Sequence, residues 1–289
     1  VSFIATATIG YDHLDIEYLK RAHITWTNCP GCNANSVGQY IHSCLLLLEK
    51  EKGYNLSKTT VGLVGVGHVG HAVIEAIRPL GVQILLNDPP QKEALRKAGK
   101  PHEFFLKMEE LQEKCDIISF HTPLITKGPY PTFHLANKTF FNALKKQPII
   151  INTSRGAVVD NTDVLQALKD GIIRDAIIDT WENEPNINQE LLNLIYIGTP
   201  HIAGYSADGK ANATRMALTA LCNHFHLPVT FQIRVPQLPE EELPEPNLTE
   251  TERALVLYNP HTDSLKLKSH PTMFEELRGN YPLRREFIE

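Results

Sequence analysis

Short, largely apolar segments alternate with stretches of helical spacing through the middle of the chain. The apolar segments lie at 61–66, 82–87, 117–120, 149–152, 176–179 and 195–198. Strands that are apolar on both faces are typical of a parallel sheet covered by helices on each side. The pattern therefore predicts an α/β fold, a doubly wound parallel sheet of the Rossmann type that binds dinucleotides.

The pattern is less regular on either side of this region. Before it, the residues predict short strands at 3–8 and 24–27, a helix at 16–22 and a long helix at 36–52, whose apolar middle indicates burial. After it, they predict a helix at 207–225 and then a linker rich in proline and glutamate. Two further strands are expected at 254–258 and 265–267, joined by a turn at Asn259-Pro260.

Composition narrows the possible classes of function. A chain of 289 residues is long enough for two domains, and a net charge of -5 gives no basic surface for nucleic acid. No apolar run approaches the ~20 residues of a membrane-spanning helix. Five cysteines without framework spacing favour a reduced, cytoplasmic setting.

Two small clusters suggest metal or redox chemistry only weakly. Cys29 and Cys32 form a CxxC pair, but no thioredoxin-like pattern surrounds it. Asp12, His13 and Asp15 have no further ligand at a useful spacing, and a cluster at the start of a helix is the simpler interpretation. We therefore predict no metal site.

A glycine motif follows the first apolar segment of the sheet. Gly65, Gly67 and Gly70 have the spacing GxGxxG, with His68 and Val69 between the last two, and they come between a strand and a helix. In this context the glycines allow a tight turn, a close approach of the backbone to a pyrophosphate, and close packing of helix on strand. Asp88 at the end of the next strand would accept a hydrogen bond from a ribose 2′-hydroxyl, which favours NAD over NADP.

Arg155, Glu184 and His201 have the chemistry that oxidation of a 2-hydroxy acid requires. His201 lies at the end of the last strand and is the candidate base, since ligands bind at that edge of an open sheet. Glu184 would bind the second ring nitrogen, and Arg155 would hold a carboxylate with its fork of donors. Each residue alone has an ordinary structural explanation, but the three together beside a glycine motif favour the catalytic one.

The segments GVGHVG, SRGAVVDNTDVLQAL, DTWENEP and PHIAG resemble the D-isomer-specific 2-hydroxyacid dehydrogenase family. The resemblance implies that Arg155, Glu184 and His201 are catalytic, with His201 as the proton donor and acceptor. It implies substrate contacts at Thr8 and Tyr205. The residues expected to bind NAD are Gly65, Gly67, His68, Val69, Gly70, Asp88, Thr122, Ser154, Asp179 and Gly204.

Other segments resemble one branch of that family more closely: TATIGYDHLD, PGCNA, the loop GPYPTFHL and the tail FEELRGNYPLRREF. That branch oxidises 4-phospho-D-erythronate at C2 with NAD, in pyridoxine 5′-phosphate biosynthesis, and is a homodimer formed by its C-terminal domain. The resemblance thus implies a phosphorylated 2-hydroxy acid as substrate and a second copy of the chain as partner.

The chain departs from that branch at three places. No segment matches the Arg-Ser pair of the branch's substrate domain, so we expect part of that domain to precede residue 1. Gln39 replaces an expected glutamate, and His68 replaces a common asparagine. Activity without the preceding segment stays open.

The predicted domains are a partial substrate domain at 1–52, an NAD-binding domain at 53–205, a returning helix and linker at 206–227, and a small α+β dimerisation domain at 228–289. Two other functions remain: a dehydrogenase of the phosphoglycerate or glyoxylate type, and a non-catalytic NAD-binding scaffold.

Overall fold

The computed structural model describes residues 1–11 and 13–286. Its strands are β1 Phe3–Ala5, β2 Thr25–Thr27, β3 Thr60–Val64, β4 Gln83–Asn87, β5 Ile117–Phe120, β6 Ile149–Asn152, β7 Asp175–Ile178 and β8 Ile197–Gly198. Its helices are α1 Ile16–Arg21, α2 Ala34–Lys52, α3 His68–Ile77, α4 Pro89–Lys97, α5 Met108–Lys114, α6 Lys138–Asn142, α7 Asn161–Lys169, α8 Gln189–Leu194, α9 Ala207–His224, α10 Glu250–Leu257, α11 Pro260–Ser269 and α12 Phe274–Gly279. No helix in these ranges is long and apolar enough to cross a bilayer.

The main sheet has six parallel strands in the order β4-β3-β5-β6-β7-β8. Every residue of β3, β5 and β6 is buried, as expected of strands covered on both faces. The predicted doubly wound sheet is confirmed. The strand order reverses direction between β3 and β5, which is the point where open α/β sheets bind their ligands. A separate parallel pair, β1 and β2, lies near the start of the chain.

Alternate residues of the central strands supply two hydrophobic cores, one on each face of the sheet. Val61 and Leu63 belong to one core, and Val64 of the same strand belongs to the other. The long helix α2 closes the first core, with its apolar middle from Tyr40 to Leu48 largely buried. It packs directly on α3: a side chain at Gly38 would meet the carbonyl oxygen of Ala72 at 2.9 Å.

The two strands predicted near the C-terminus are wrong, because both segments are helical. Thr249 and Glu252 form a capping box that starts α10, which covers all but the last residue of the strand predicted at 254–258; Tyr258 is its C-terminal cap. The predicted turn at Asn259-Pro260 is instead the N-terminal cap of α11, with proline at the first helical position. The short alternation of apolar residues also fits a helix, since Leu255 and Tyr258 are three residues apart and both are buried.

Replacing Thr249 with alanine tests this correction. The Thr249 Oγ1 accepts a hydrogen bond from the Glu252 N–H, and losing such a cap costs about 1 kcal/mol of folding free energy. We expect a lower midpoint of urea unfolding for Thr249→Ala. Thr251→Ala, inside the same helix, is the control and should be neutral, since alanine favours helices. Equal loss in both variants would contradict the capping box.

Candidate active site

Most predicted site residues lie at one edge of the sheet, where the carboxyl ends of its parallel strands meet. The segments concerned follow β3, β4, β5, β6, β7 and β8 in turn. Because these strands are parallel, the loops after them share one side of the sheet. Thr8 follows β1 instead, and its carbonyl accepts a hydrogen bond from Cys29 in the loop before α2.

The three glycines of the motif have different surroundings. Gly65 has φ +91°, and a Cβ there would lie 2.8 Å from the carbonyl oxygen of His121. A Cβ at Gly70 would clash with the Gly65 carbonyl, so this glycine lets α3 pack on the turn. A Cβ at Gly67 would meet no atom within 4 Å. Gly65 and Gly70 are therefore required by the fold, whereas Gly67 borders open space.

Asp88 has a structural role in addition to the predicted one. It caps α4, since its Oδ1 accepts the Gln91 backbone N–H at 2.9 Å. Its Oδ2 accepts the Val66 N–H at 2.8 Å and the Gln91 side-chain amide at 3.0 Å. A carboxylate has about four acceptor positions, so one on Oδ1 is left for a ribose hydroxyl. The carboxylate also holds the glycine turn in place.

Two features of this edge fit a dinucleotide. The hydroxyl of Thr122 is buried and has no hydrogen-bond partner among the described residues, and the same is true of Thr180. A buried polar group without a partner costs about 1–3 kcal/mol, which a bound ligand would recover. The open space at Gly67, at the start of α3, is where a pyrophosphate binds in this fold. His68 begins α3 and is exposed, with the half-buried Val69 beside it.

Asp179 is fully buried at the end of β7 and binds the loop after β8. Its carboxylate accepts the Thr199 hydroxyl at 2.6 Å and the backbone N–H groups of Ile202 and Ala203 at 2.7 and 3.0 Å. Burial raises the pKa of Asp179, while the nearby His201 and these donors oppose the rise. Its prediction as an NAD contact stays a prediction, and the structure shows that it orders the loop that carries His201.

The predicted acid–base pair is assembled. His201 Nδ1 lies 2.8 Å from Glu184 Oε2, and Glu184 Oε1 accepts the backbone N–H of Trp181 at 2.8 Å. The backbone of His201 has φ +56°, and its N–H donates to the Asp179 carbonyl at 2.8 Å. A carboxylate on Nδ1 keeps a proton there and leaves Nε2 free to accept one. The pair therefore has the arrangement of a general base with its orienting acid.

Arg155 lies on a segment that is locked to the one carrying Glu184. Its Nη1 donates to the Ser154 carbonyl at 2.8 Å, and the side chain is half-buried. A Cβ at the next residue, Gly156, would clash with the Trp181 backbone, so the loops after β6 and β7 pack without a gap. Ser154 is buried, and both its N–H and its hydroxyl donate to Asn152.

The remaining predicted residues are Gly204, Tyr205 and Thr8. A side chain at Gly204 would clash with the Asn33 amide, so the loop packs closely on the start of α2. The Tyr205 hydroxyl accepts a hydrogen bond from Arg278 Nε at 3.1 Å, and Lys210 Nζ lies 5.1 Å from its ring centroid. The exposed Thr8 hydroxyl donates to the Gly10 carbonyl at 2.6 Å.

Sequence reasoning missed His134, the one histidine of the GPYPTFHL loop. Its Nε2 lies 2.7 Å from Glu182 Oε1 and its Nδ1 lies 3.0 Å from Asp160 Oδ2. Each ring nitrogen thus faces a carboxylate oxygen. The ring therefore joins this loop to the segments that follow Arg155 and precede Glu184. No local signal predicts it, since the two acids are distant in sequence.

His121 was also missed. It is buried beneath the glycine turn, with its Nε2 2.9 Å from the Ser119 hydroxyl and its Nδ1 3.1 Å from the Thr153 hydroxyl. Burial lowers the pKa of His121 to about 3, so the ring is neutral at pH 7. Its carbonyl oxygen borders Gly65, which makes it part of the support for the cofactor loop.

The CxxC pair does not have the environment of a redox site. Cys29 and Cys32 are buried free thiols, and burial raises the pKa of Cys32 to about 11. A reactive thiol needs the opposite shift. Among residues 1–11 and 13–286, no three His, Cys, Asp or Glu side chains are grouped as metal ligands would be; Asp12 lies outside these residues.

Comparisons with known proteins now identify the family. Residues 45–203 match the model of the D-isomer specific 2-hydroxyacid dehydrogenase NAD binding domain, which is more than half of the chain. The chain is 52% identical over 286 residues to the erythronate-4-phosphate dehydrogenase of Bacteroides fragilis, covering 99% of this chain and 80% of that protein. The chain belongs to the D-isomer-specific 2-hydroxyacid dehydrogenase family.

Further similarities support membership of this family. The erythronate-4-phosphate dehydrogenase of Escherichia coli O157:H7 is 39% identical over 296 residues, covering 99% of this chain and 77% of that protein. The crystal structure of D-lactate dehydrogenase from Aquifex aeolicus complexed with NAD and lactic acid has the same fold, with a TM-score of 0.65 at 24% identity, covering 78% of this chain and 77% of that one. The chain is thus an NAD-dependent dehydrogenase that acts on the CH–OH group of a hydroxy acid.

Replacing Gly67 with valine tests the cofactor loop. Since a Cβ at this position meets no protein atom, we expect the thermal midpoint to stay near that of the unchanged protein. The added side chain would fill the space for the pyrophosphate, so NADH affinity should fall on the order of tenfold or more. Calorimetry measures the thermal midpoint, and NADH fluorescence measures the affinity. Gly70→Ala is the matched control, expected to lower stability through its clash with Gly65; unchanged NADH affinity in Gly67→Val would refute the assignment.

The buried His121 predicts a particular acid sensitivity. The unfolded ring titrates near pH ~6.5 and the folded ring at about 3, so the unfolded state binds the extra proton between these values. Stability from this group is present above pH ~6.5 and is lost as pH falls toward 3, by up to about 1.4 kcal/mol per pH unit. His121→Gln should flatten the pH dependence of urea unfolding in that window. An unchanged slope would show that the ring is not the cause.

Proposed function

We propose that this dehydrogenase oxidises 4-phospho-D-erythronate at C2 to (R)-3-hydroxy-2-oxo-4-phosphooxybutanoate, a step in pyridoxine 5′-phosphate synthesis. The observation that carries the proposal is the His201–Glu184 pair at the carboxyl edge of the sheet, 2.8 Å apart. Two relatives that cover 99% of the chain, at 52% and 39% identity, are named erythronate-4-phosphate dehydrogenase.

His201 is assigned the role of the base that takes the substrate proton. Its Nε2 accepts the proton of the C2 hydroxyl, and the Glu184 carboxylate on Nδ1 stabilises the imidazolium that results. NAD, when bound, supplies the nicotinamide ring that takes the hydride from C2. In the reverse direction the same imidazolium returns its proton to the oxygen. The half-buried position of both side chains limits the water that competes for this proton.

Arg155 is assigned the role of binding the C1 carboxylate of the substrate. A guanidinium offers two parallel donors that match a carboxylate, and it would also polarise the forming C2 carbonyl. The packing of Gly156 on Trp181 fixes the backbone next to Arg155 relative to Glu184. The base and the clamp thus belong to one interlocked set of loops.

The phosphate end of the substrate is assigned to the region of Tyr205. Arg278 Nε donates to the Tyr205 hydroxyl at 3.1 Å, and Lys210 Nζ lies 5.1 Å from the ring. Two cations beside a proposed substrate contact suit a phosphate, which neither lactate nor glyoxylate has. This charge favours a phosphorylated substrate over the smaller hydroxy acids.

The segment from 228 to 286 is assigned to a homodimer contact. It leaves several large apolar side chains exposed, among them Val256 at 54% and Leu265 at 55% exposure. Exposed apolar surface on a small helical segment is typical of an interface between copies. Sedimentation at several concentrations measures this directly.

A substrate panel together with His201→Asn tests the proposed reaction. We expect a burst of NADH absorbance with 4-phosphoerythronate, using enough protein to see one turnover, and none with erythronate, lactate or glyoxylate. His201→Asn should lose about 10²–10⁴ in rate, since it removes the base, and should keep NADH binding. Turnover of another hydroxy acid in place of 4-phosphoerythronate would reassign the substrate. NADH binding without turnover of any acid would favour the scaffold function.

A further inference from the structure

A buried arginine near the C-terminus contacts the catalytic loop. Arg284 is 3% exposed, although it lies in the tail of the chain beyond α12. Its Nη1 donates to the Ile202 carbonyl at 3.2 Å, and its Nη2 donates to the Ala203 carbonyl at 2.8 Å. These are the two residues that follow His201.

The other contacts of Arg284 are with the core of the molecule. Its Nη2 also donates to the Ser36 carbonyl at 2.7 Å, and its Nε donates to Gln39 Oε1 at 3.0 Å. The guanidinium carbon lies 3.9 Å from the ring centroid of Tyr258, a cation–π contact. Arg284 therefore ties the loop after β8 to α2 and α10.

The loop is held from both sides. Asp179 accepts the N–H groups of Ile202 and Ala203, and Arg284 donates to the carbonyl groups of the same two residues. With its backbone donors and acceptors both engaged, this stretch has little freedom to rotate. The residue before it is His201 and the residue after Gly204 is Tyr205, so the direction of both side chains depends on it.

We propose that Arg284 is a positioning residue for the reaction: it fixes the loop between His201 and Tyr205, so that the tail of the chain completes the active site. It does not touch the reacting atoms and acts through the loop backbone. Its effect on turnover rests on the function proposed above, whereas its effect on the loop does not. A misplacement of about 1 Å in a catalytic group can cost ~100-fold in rate.

The neighbouring Arg285 provides a matched control. It is equally buried, at 3% exposure, and it forms an ion pair with Asp208 at 3.0 Å. Its Nη1 donates to the Pro236 carbonyl and to Gln237 Oε1, in the segment between α9 and α10. None of these side-chain contacts reaches the loop from 201 to 205. A general loss of packing should appear in variants of both arginines, and a loss of positioning in variants of Arg284 alone.

The experiment compares Arg284→Lys with Arg285→Lys in two measurements. Hydrogen exchange of the 199–206 peptide needs no substrate, and we expect it to be faster in Arg284→Lys only, because lysine keeps the charge but loses the fork of donors. With 4-phosphoerythronate and NAD, we expect kcat to fall on the order of tenfold or more in Arg284→Lys, with NADH affinity within about threefold of the unchanged protein. Arg285→Lys should keep kcat.

Equal exchange rates in the two variants, or equal losses of kcat, would overturn the proposal. If the unchanged protein does not turn over 4-phosphoerythronate, the substrate assignment fails, and the exchange measurement still decides the role of Arg284. If Arg284→Lys does not fold, Gln39→Ala replaces it. That variant removes the acceptor of Arg284 Nε and the two hydrogen bonds from the Gln39 amide to the Arg285 and Glu286 carbonyls, and it leaves the bonds from Arg284 to Ile202 and Ala203 in place. It should show a smaller increase in exchange over the same peptide, and no increase would overturn the proposal.

Discussion

The candidate active site depends on one buried carboxylate, that of Asp179. It lies at the end of β7 and accepts three hydrogen bonds, all from residues of the loop after β8. Its own carbonyl accepts the N–H of His201, which holds that residue at φ +56°. A non-glycine residue in this region of backbone space is uncommon and requires such support. The histidine reaches Glu184 because the loop is bent in this way.

The other loops are built around the same point. Glu184 binds His201 with one oxygen and the Trp181 backbone with the other, so the loop after β7 is tied to itself and to its neighbour. Gly156 packs against Trp181 and brings the segment of Arg155 into contact. His134 then joins this group to the loop before α6 through two carboxylates. The site is thus a set of loops from adjacent strands, each fixed by the next, which is how catalytic groups are held within a narrow range of positions.

Local pattern predicted the sheet and the contact between Glu184 and His201, and it failed where distant residues decide the structure. The apolar strands, the glycine turn and the pairing of Glu184 with His201 all follow from short segments at the carboxyl ends of strands. The C-terminal helices were taken for strands, because an apolar alternation of a few residues fits either period until the caps at Thr249 and Asn259 are considered. His134 and Arg284 have partners that lie far along the chain, and His121 contacts the distant Thr153 as well as the neighbouring Ser119. No single-sequence pattern predicts the distant pairs. Asp179 was predicted only as an NAD contact, and its hydrogen bonds to the loop after β8 do not follow from the sequence pattern.

The relation between Asp179 and Arg284 explains how two charges are buried at this site without touching. None of the ion pairs between described residues involves either side chain. The peptide group that joins Ile202 and Ala203 points its N–H toward the carboxylate and its carbonyl toward the guanidinium. The peptide group before it gives Asp179 a second N–H, and the one after it gives Arg284 a second carbonyl. Peptide dipoles in this orientation stabilise both charges at once, in place of the water that each has lost. A direct ion pair would neutralise the same charges, but the N–H and carbonyl groups of the loop would then lose their hydrogen-bond partners. The arrangement therefore couples the burial of the two charges to the conformation of the loop that carries His201.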